Sequence, residues 1–377
     1  MMNQEYKESV EVKNPRFIQF VVVTEVEGNV NADESVGTRI TIKKFVTREG
    51  IYPYVSSRAI KKGIRLALER DYGFKTDPFE TLSDTQIGKK QEGDSGNFLD
   101  YIDQDLFGYM VTKAKSQGEK GGAWKRKAPV EMSYLISFFP IPVTTEFAGR
   151  FPKRENPIPF EIEQAKFLGR FYGIIYNYIG VFHKEEVVDK EDEDRNLKNI
   201  LGEVKNSDKV DQNRSNEKMV ILKEEERKKR LRALLEIILA GKFVLPRSTD
   251  QLNQGNYKYV VVALTNSIKP LSAFVNIKYQ KDREYEIFKE EKDGKIIEKV
   301  VERFSEGYQL DIEKLREFAN MLEGEEKLYV IDYVGNLKVD NRDKIIVKKP
   351  SEIKNLVEDI LKNLDLNNFN YYLKFYE

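Results

Sequence analysis

The amino-acid sequence predicts an α+β fold, and three observations carry this. Residues 16–25 (RFIQFVVVTE) and 257–265 (YKYVVVALT) are β-rich and apolar at successive positions, as in strands buried on both faces. Residues 55–72 (VSSRAIKKGIRLALERDY) and about 221–240 repeat their apolar positions with helical spacing. No fixed-period repeat runs through the chain, which leaves no basis for a solenoid.

Taken in order, the first strand gives way at 26–37 to a segment with Gly28, Asn29, Asn31 and Asp33, which reads as a loop. Residues 38–46 (TRITIKKFV) alternate loosely and suit a second strand or the arm of a hairpin. The basic helix follows. Strand, long excursion and helix together form the opening of a ferredoxin-like or RNA-recognition-type βαβ unit. From 73 to about 164 turn-forming residues are frequent, and this stretch reads as a large insertion rather than a separate domain. Residues 167–182 (FLGRFYGIIYNYIGVF) return to strand composition. Residues 184–232 hold 14 cationic and 14 acidic side chains in 49 positions, so the part up to about 218 has little to bury and is expected as an exposed, mobile excursion. Its continuation becomes an amphipathic helix stopped by Gly241. A further strand is predicted over 273–279, and helices over 311–321 and 351–364.

Composition excludes several classes of function. The 377 residues contain no cysteine, so there are no disulfides, thiolate zinc sites or cysteine nucleophiles. His183 is the only histidine, which rules out a His-rich metal site or a pair of histidines in acid–base work. There are 63 cationic and 63 acidic residues, so any polyanion partner must be bound through local patches. No apolar run approaches the roughly 20 residues that span a bilayer. The leading MMNQEYKESV lacks the apolar core of a signal peptide. No membrane partner is expected, and the expected location is cytoplasmic.

The basic helix is the strongest local signal. Arg58, Lys61, Lys62 and Arg65 fall at i, i+3, i+4 and i+7 and share one stripe, opposite Ile60, Ile64, Ala67 and Leu68. Ser56 or Ser57 is placed to cap the first turn, where free N–H groups and the positive dipole end add to the cations. Such a face suits a phosphate backbone; the ordinary alternative is a solvated surface stripe. Three weaker clusters accompany it. Lys125, Arg126 and Lys127 follow Trp124 in what reads as a flexible loop that could grip a backbone and stack a base, or else a solvated turn. Arg150, Lys153 and Arg154 interleave with Phe147 and Phe151, and Lys242 with Arg247 follows the long helix.

For catalysis only carboxylates are candidates. Asp33 and Glu34, after the first strand, could hold a metal near a phosphate, though loops carry such residues for solubility alone. D-L-F-G at residues 105–108 lacks the Gly-rich loop and catalytic-loop segments of a kinase and reads as a turn with a buried Phe. No G-x-x-x-x-G-K-[ST] run is present.

Several of these stretches, taken in order, resemble a known family. V-S-S-R-A-I-K-K-G-I-R, preceded by G-I-Y-P-Y, is similar to the first-helix signature of the CRISPR-associated (RAMP-type) backbone subunits of type I Cascade complexes, in the DevR-family autoregulator branch typical of type I-B. N-A-D-E at 31–34, D-L-F-G-Y-M at 105–110 and K-R-K-A-P-V-E-M-S-Y-L-I-S-F-F-P at 125–140 agree in order, over roughly residues 15–275; beyond 280 no signature matches.

The resemblance implies an RNA-recognition-type palm with a helical fingers insertion and a protruding thumb. It maps the first half of the palm to 1–72, the fingers to 73–165, a palm strand to 166–183, and the thumb or mobile excursion to 184–220. The second half of the palm and C-terminal elements fall in 221–377. It implies a non-catalytic subunit, without cofactor or metal, that polymerises along guide RNA and leaves bases free to pair with target DNA. Other copies of itself and other Cascade subunits would be its partners. Ser56, Ser57, Arg58, Lys61, Lys62 and Arg65 would hold the guide backbone, with Lys125, Arg126, Lys127, Arg150, Arg154 and Arg247 as further RNA contacts. The 184–220 segment departs from the pattern in lacking an apolar wedge, so no base-flipping residue is assigned. Two alternatives remain open: a metal-dependent target-RNA endonuclease acting through Asp33, and a DNA-binding autoregulator, although no helix-turn-helix is evident.

Overall fold

The computed structural model describes residues 14–29, 32–36, 38–78, 94–112, 123–150, 156, 158–187, 207–245, 252–292, 295–340 and 344–376. In chain order its first elements are β1 (Phe17–Gly28), β2 (Ala32–Val36), β3 (Arg39–Ile42), β4 (Lys44–Val46), β5 (Ile51–Val55) and α1 (Ser57–Tyr72). The middle of the chain supplies α2 (Ile102–Phe107), β6 (Tyr109–Thr112), β7 (Ala123–Arg126), β8 (Val130–Met132), β9 (Leu135–Ser137), β10 (Thr144–Arg150) and β11 (Ile158–Tyr176). β12 (Val181–His183), α3 (Lys184–Val187), β13 (Met219–Ile221), α4 (Glu224–Ala240), β14 (Asn256–Thr265) and α5 (Leu271–Phe274) follow. The chain closes with β15 (Ile277–Lys292), β16 (Lys295–Leu310), α6 (Ile312–Asn320), β17 (Lys327–Asp332), β18 (Ile345–Lys348), α7 (Ile353–Asn363) and α8 (Asn370–Leu373). The predicted α+β class holds.

One mixed sheet organises the molecule, in the order β18-β17-β14-β1-β11-β9-β5-β4. β1 is central because it can be buried on both faces. It pairs antiparallel with β11 (Phe17 opposite Tyr176) and with β14 (Phe17 opposite Thr265). Its alternate residues feed two cores. Ile18, Phe20 and Val22 pack with Ile60, Ile64 and Leu68 of α1, Leu234 and Ile238 of α4, and Leu356 and Ile360 of α7. Val21 and Val23 face the other way, towards Leu315 and Phe318 of α6 and Leu271 of α5. Because β9 and β1 both run antiparallel to β11, they are parallel to each other with β11 between them. The chain path β1–α1–β9–β11–α4–β14 is therefore a split βαβ arrangement.

Five segments differ from the sequence-based expectation. The loop expected over 26–37 is largely strand: β1 runs to Gly28, held beyond Glu25 by β11 alone, and β2 pairs with β3. Asp33 and Glu34 thus lie on strand backbone. β11 begins at Ile158 rather than near 167; its first half is polar and alternating, and pairs with β10. The fingers range 73–165 was expected to be helical, yet among its described residues only α2 is a helix, and most of the rest pairs as strands. In 184–220, Val210 and Val220 are buried and β13 pairs with β12, so this end of the charged stretch packs back onto the fold. Residues 188–206, the centre of the expected thumb, lie outside the described residues. The strand expected over 273–279 starts at Ile277, because Pro270 leads into the short α5 first.

β15 and β16 form a separate two-stranded ribbon, each strand 16 residues long, paired from Ile277–Leu310 to Lys292–Lys295. Among the described residues no helix is long and apolar enough to cross a membrane.

Candidate nucleic-acid interface

The α1 helix starts where β5 ends, with one residue between them. Ser56 is that residue: its backbone is extended and its Oγ accepts from the Ala59 N–H at 3.3 Å, so the first turn is capped as the hydroxyl pattern predicts. No acidic side chain occupies this turn, and the dipole end is left uncompensated. Ser57 is the first helical residue. At the far end Gly73 adopts φ +67°, the left-handed turn that closes the helix onto Glu69 and Leu68 carbonyls. Gly63 lies at a close crossing, since a Cβ there would stand 2.5 Å from the Val244 carbonyl oxygen. That crossing fixes which side of α1 faces outward.

The basic stripe divides in two. Arg58 and Lys62 are exposed and form no ion pair among the described residues. Lys61 and Arg65, nearer the buried flank, lie over the Phe107 ring of α2 at 5.2 and 5.5 Å from its centroid. Arg65 Nε also stands 3.0 Å from Asp103 Oδ2, whose carboxylate is fully buried. Burial, and then the neighbouring Arg65 charge, lower the Lys61 pKa; Glu131 on β8 partly offsets this. Asp103 is raised by burial, against the Asp77 N–H and Arg65, which favour its charged form. Among the described residues the helix therefore presents two unpaired cations on its outer side and two that brace it against α2.

The second cluster behaves differently. Residues 123–126 are not a loop but β7, paired with β6, and strand alternation turns Lys125 out and Arg126 in. Arg126 is 4% exposed, which removes it from any surface role. Its Nη2 donates to Asp105 Oδ1 at 2.6 Å and its Nη1 to Glu186 Oε2 at 2.8 Å. Arg230 of α4 reaches the other Asp105 oxygen at 2.9 Å. Glu186 also accepts from the Tyr372 hydroxyl at 2.6 Å, from the Tyr376 hydroxyl, and from the Lys127 N–H at 3.0 Å. Two buried carboxylates thus neutralise two buried guanidiniums and join α2, β7, α3, α4 and the C-terminal residues. Lys127 is half-buried, its ammonium 3.3 Å from the Phe375 ring centroid.

Of the twelve residues predicted to contact RNA, five lie on α1 with Ser56 as its cap, and two, Lys125 and Lys127, flank the buried Arg126. Arg150 ends β10 and only its backbone is described; Arg154 and Arg247 lie outside the described residues. The α1 group and β7 share α2 as support, since Arg65 leans on Asp103 while Arg126 binds Asp105. The side chains of Asp33 and Glu34 lie outside the described residues, and no group of three acidic or histidine residues that could hold a metal occurs among those described.

The Asp105–Arg126–Glu186–Arg230 junction was invisible as a unit in the sequence, because its members are up to 125 residues apart. The aromatic alternation in Tyr52-Pro53-Tyr54 of β5 was the one local sign that this strand carries rings on a single face.

An α+β protein with a central mixed sheet and a capped, outward-facing basic helix is the class these features define. The family described as CRISPR-associated negative auto-regulator DevR/Csa2 matches residues 18–286, and the chain belongs to it. Two solved structures, a "CRISPR RNA-guided surveillance complex" and a "CRISPR RNA-guided surveillance complex, pre-nicking", are each similar at a TM-score of 0.47 and 12% identity, over 91% of this chain and 99% of theirs. No curated protein matches the chain.

Proposed function

We propose that this protein is a non-catalytic backbone subunit of a CRISPR effector complex, and that copies of it polymerise along a guide RNA. The observation that carries this reading is the outer side of α1 in a CRISPR-associated family member. Arg58 and Lys62 are exposed and unpaired among the described residues, beside a serine-capped helix start with no acidic residue in its first turn. Contacts of this kind address phosphates without regard to sequence, which is what holding any guide requires. Base edges then stay available for pairing with target DNA. In this reading the sheet with α1 and α4 is the palm, the parts of 73–165 outside that sheet the fingers and 184–220 the thumb. Other copies of the chain and other Cascade subunits are its protein partners.

The zero net charge suits such an assembly, because uniformly cationic protomers would repel one another on stacking. A repeated heterologous contact that does not close gives an open filament. The test is the Arg58→Ala, Lys62→Ala double variant of the full chain. Its RNA affinity should fall equally for unrelated sequences, and the slope of log K against log salt should flatten by about 0.7 per lost contact. Unchanged affinity and slope would remove α1 from the interface.

A further inference from the structure

The two cations that lean on α2 are not equivalent. They share one ring: the Lys61 ammonium lies 5.2 Å and the Arg65 guanidinium 5.5 Å from the Phe107 centroid. Arg65 has a carboxylate beside it, its Nε standing 3.0 Å from Asp103 Oδ2. Lys61 is half-buried and forms no ion pair among the described residues. Protonated Lys61 therefore gives up part of its water and faces a like charge one helical turn away. The ring favours a cation, yet Arg65 occupies it as well and cannot lose its proton. The relief open to the pair is loss of the proton from Lys61. Burial, and then the Arg65 charge, lower its pKa, and Glu131 on β8 offsets them only in part.

The rest of the helix face decides what such an amine could react with. Arg58 precedes Lys61 by three residues and Arg65 follows it by four, so two guanidiniums flank it along one stripe. Arg58 is exposed and forms no ion pair among the described residues, and no acidic side chain stands in the first turn. An electrophile with a phosphate leaving group would have its anion held beside the nucleophile. Lys62 offers an internal reference, because it is exposed and sits about 100° further round the helix.

We propose that Lys61 is an acylation site for acyl phosphates, with Arg58 and Arg65 receiving the phosphate group. The neutral Nζ attacks the acyl carbonyl carbon, and the N–C bond forms as the bond from that carbon to the phosphate oxygen breaks. Inorganic phosphate leaves with the electron pair, and the nitrogen sheds its extra proton to water, which leaves an amide. The amide is uncharged, so the modification removes one cation from the stripe. A weaker hold on guide RNA follows; that consequence rests on the reading of α1, whereas the acylation does not.

The experiment treats the full chain with acetyl phosphate and, separately, with acetic anhydride, and follows both lysines by peptide mass spectrometry. With either reagent Lys61 should be acetylated faster than Lys62 by about threefold or more. Its rate should level off below the ordinary lysine value of 10.5 as pH is raised. Arg58→Ala should slow the acetyl phosphate reaction at Lys61 and leave the anhydride reaction unchanged, and added inorganic phosphate should do the same. The thermal transition of Arg58→Ala checks that the variant is folded. Lys62 labelled as fast as Lys61 by both reagents overturns the proposal. So does a Lys61 preference seen with the anhydride but not with acetyl phosphate, because the amine would then have no anion subsite. RNA affinity is then measured on the acetylated chain. An unchanged value with Lys61 fully acetylated removes Lys61 from the RNA face and leaves the acylation site standing.

Discussion

Two arginine-rich segments that look alike in sequence end in opposite environments. R-A-I-K-K-G-I-R on α1 keeps Arg58 and Lys62 in solvent, while K-R-K on β7 buries Arg126 among two carboxylates. The difference lies in backbone periodicity. A helix with apolar residues at i and i+4 must turn the opposite stripe outward, whereas a strand sends neighbouring residues to opposite sides regardless of charge. Burial of Arg126 then depends on partners that arrive from elsewhere: Asp105 from α2 and Glu186 from α3. A cluster of cations is thus weak evidence for a surface until its secondary structure is known.

The sharpest way to break this comparison is Arg126→Met. It leaves Asp105 with Arg230 and the Gly180 N–H and Glu186 with neutral partners, so it should cost about 3–5 kcal/mol. Urea unfolding would measure this as a lower midpoint at unchanged slope. Arg58→Ala with Lys62→Ala should do the reverse, altering RNA affinity while stability stays within about 0.5 kcal/mol. If Arg126→Met were as stable as the wild type, the junction would be a bystander and the contrast between the two segments would fail.

The contrast also explains what could be read in advance. β1 and β14 were legible as continuous apolar, β-rich runs, and α1, α6 and α7 because each buries a face with helical period. Ser56 capping and Gly241 at φ +62° were legible as local chemistry. The polar first half of β11 was not, because its pairing with β10 is decided by a partner strand rather than by apolar alternation. The half-buried setting of Lys61 and Arg65 in the basic stripe was hidden for a similar reason. Nothing near Lys61 or Arg65 in sequence announces Phe107 and Asp103, which come from α2.

Gly63→Ala sharpens the comparison from the helix side. Alanine is the better helix former, yet its methyl group would meet the Val244 carbonyl oxygen at 2.5 Å. Shifting that backbone should cost about 1–3 kcal/mol by thermal or urea unfolding. A stabilised variant would show that the crossing is loose and that α1 is not held at a fixed rotation. Ser56→Ala removes the hydroxyl that accepts from Ala59 and should cost about 1 kcal/mol. RNA affinity should fall little, because the helix N–H groups and cations remain.

The smallest expected effect concerns acid stability beside the junction. His183 is 9% exposed and stacks on Tyr376 at 4.1 Å and 15°, while its Nδ1 accepts from the Glu185 N–H at 3.3 Å. Burial lowers its pKa; Glu185 and Glu186 oppose the shift, and Lys184 and Lys218 add to it. The unfolded chain therefore takes up this proton first. The His183 contribution is fully present above its ordinary value of 6.5 and is lost as pH falls below that. Carboxylates also titrate in acid, so the informative quantity is the difference between the wild type and His183→Gln. That variant should lose less stability on acidification from neutral pH, and the two profiles should converge towards lower pH. Parallel profiles across this window would mean that His183 takes up its proton equally in both states, and that the ring stacked on Tyr376 is as well solvated as an open one.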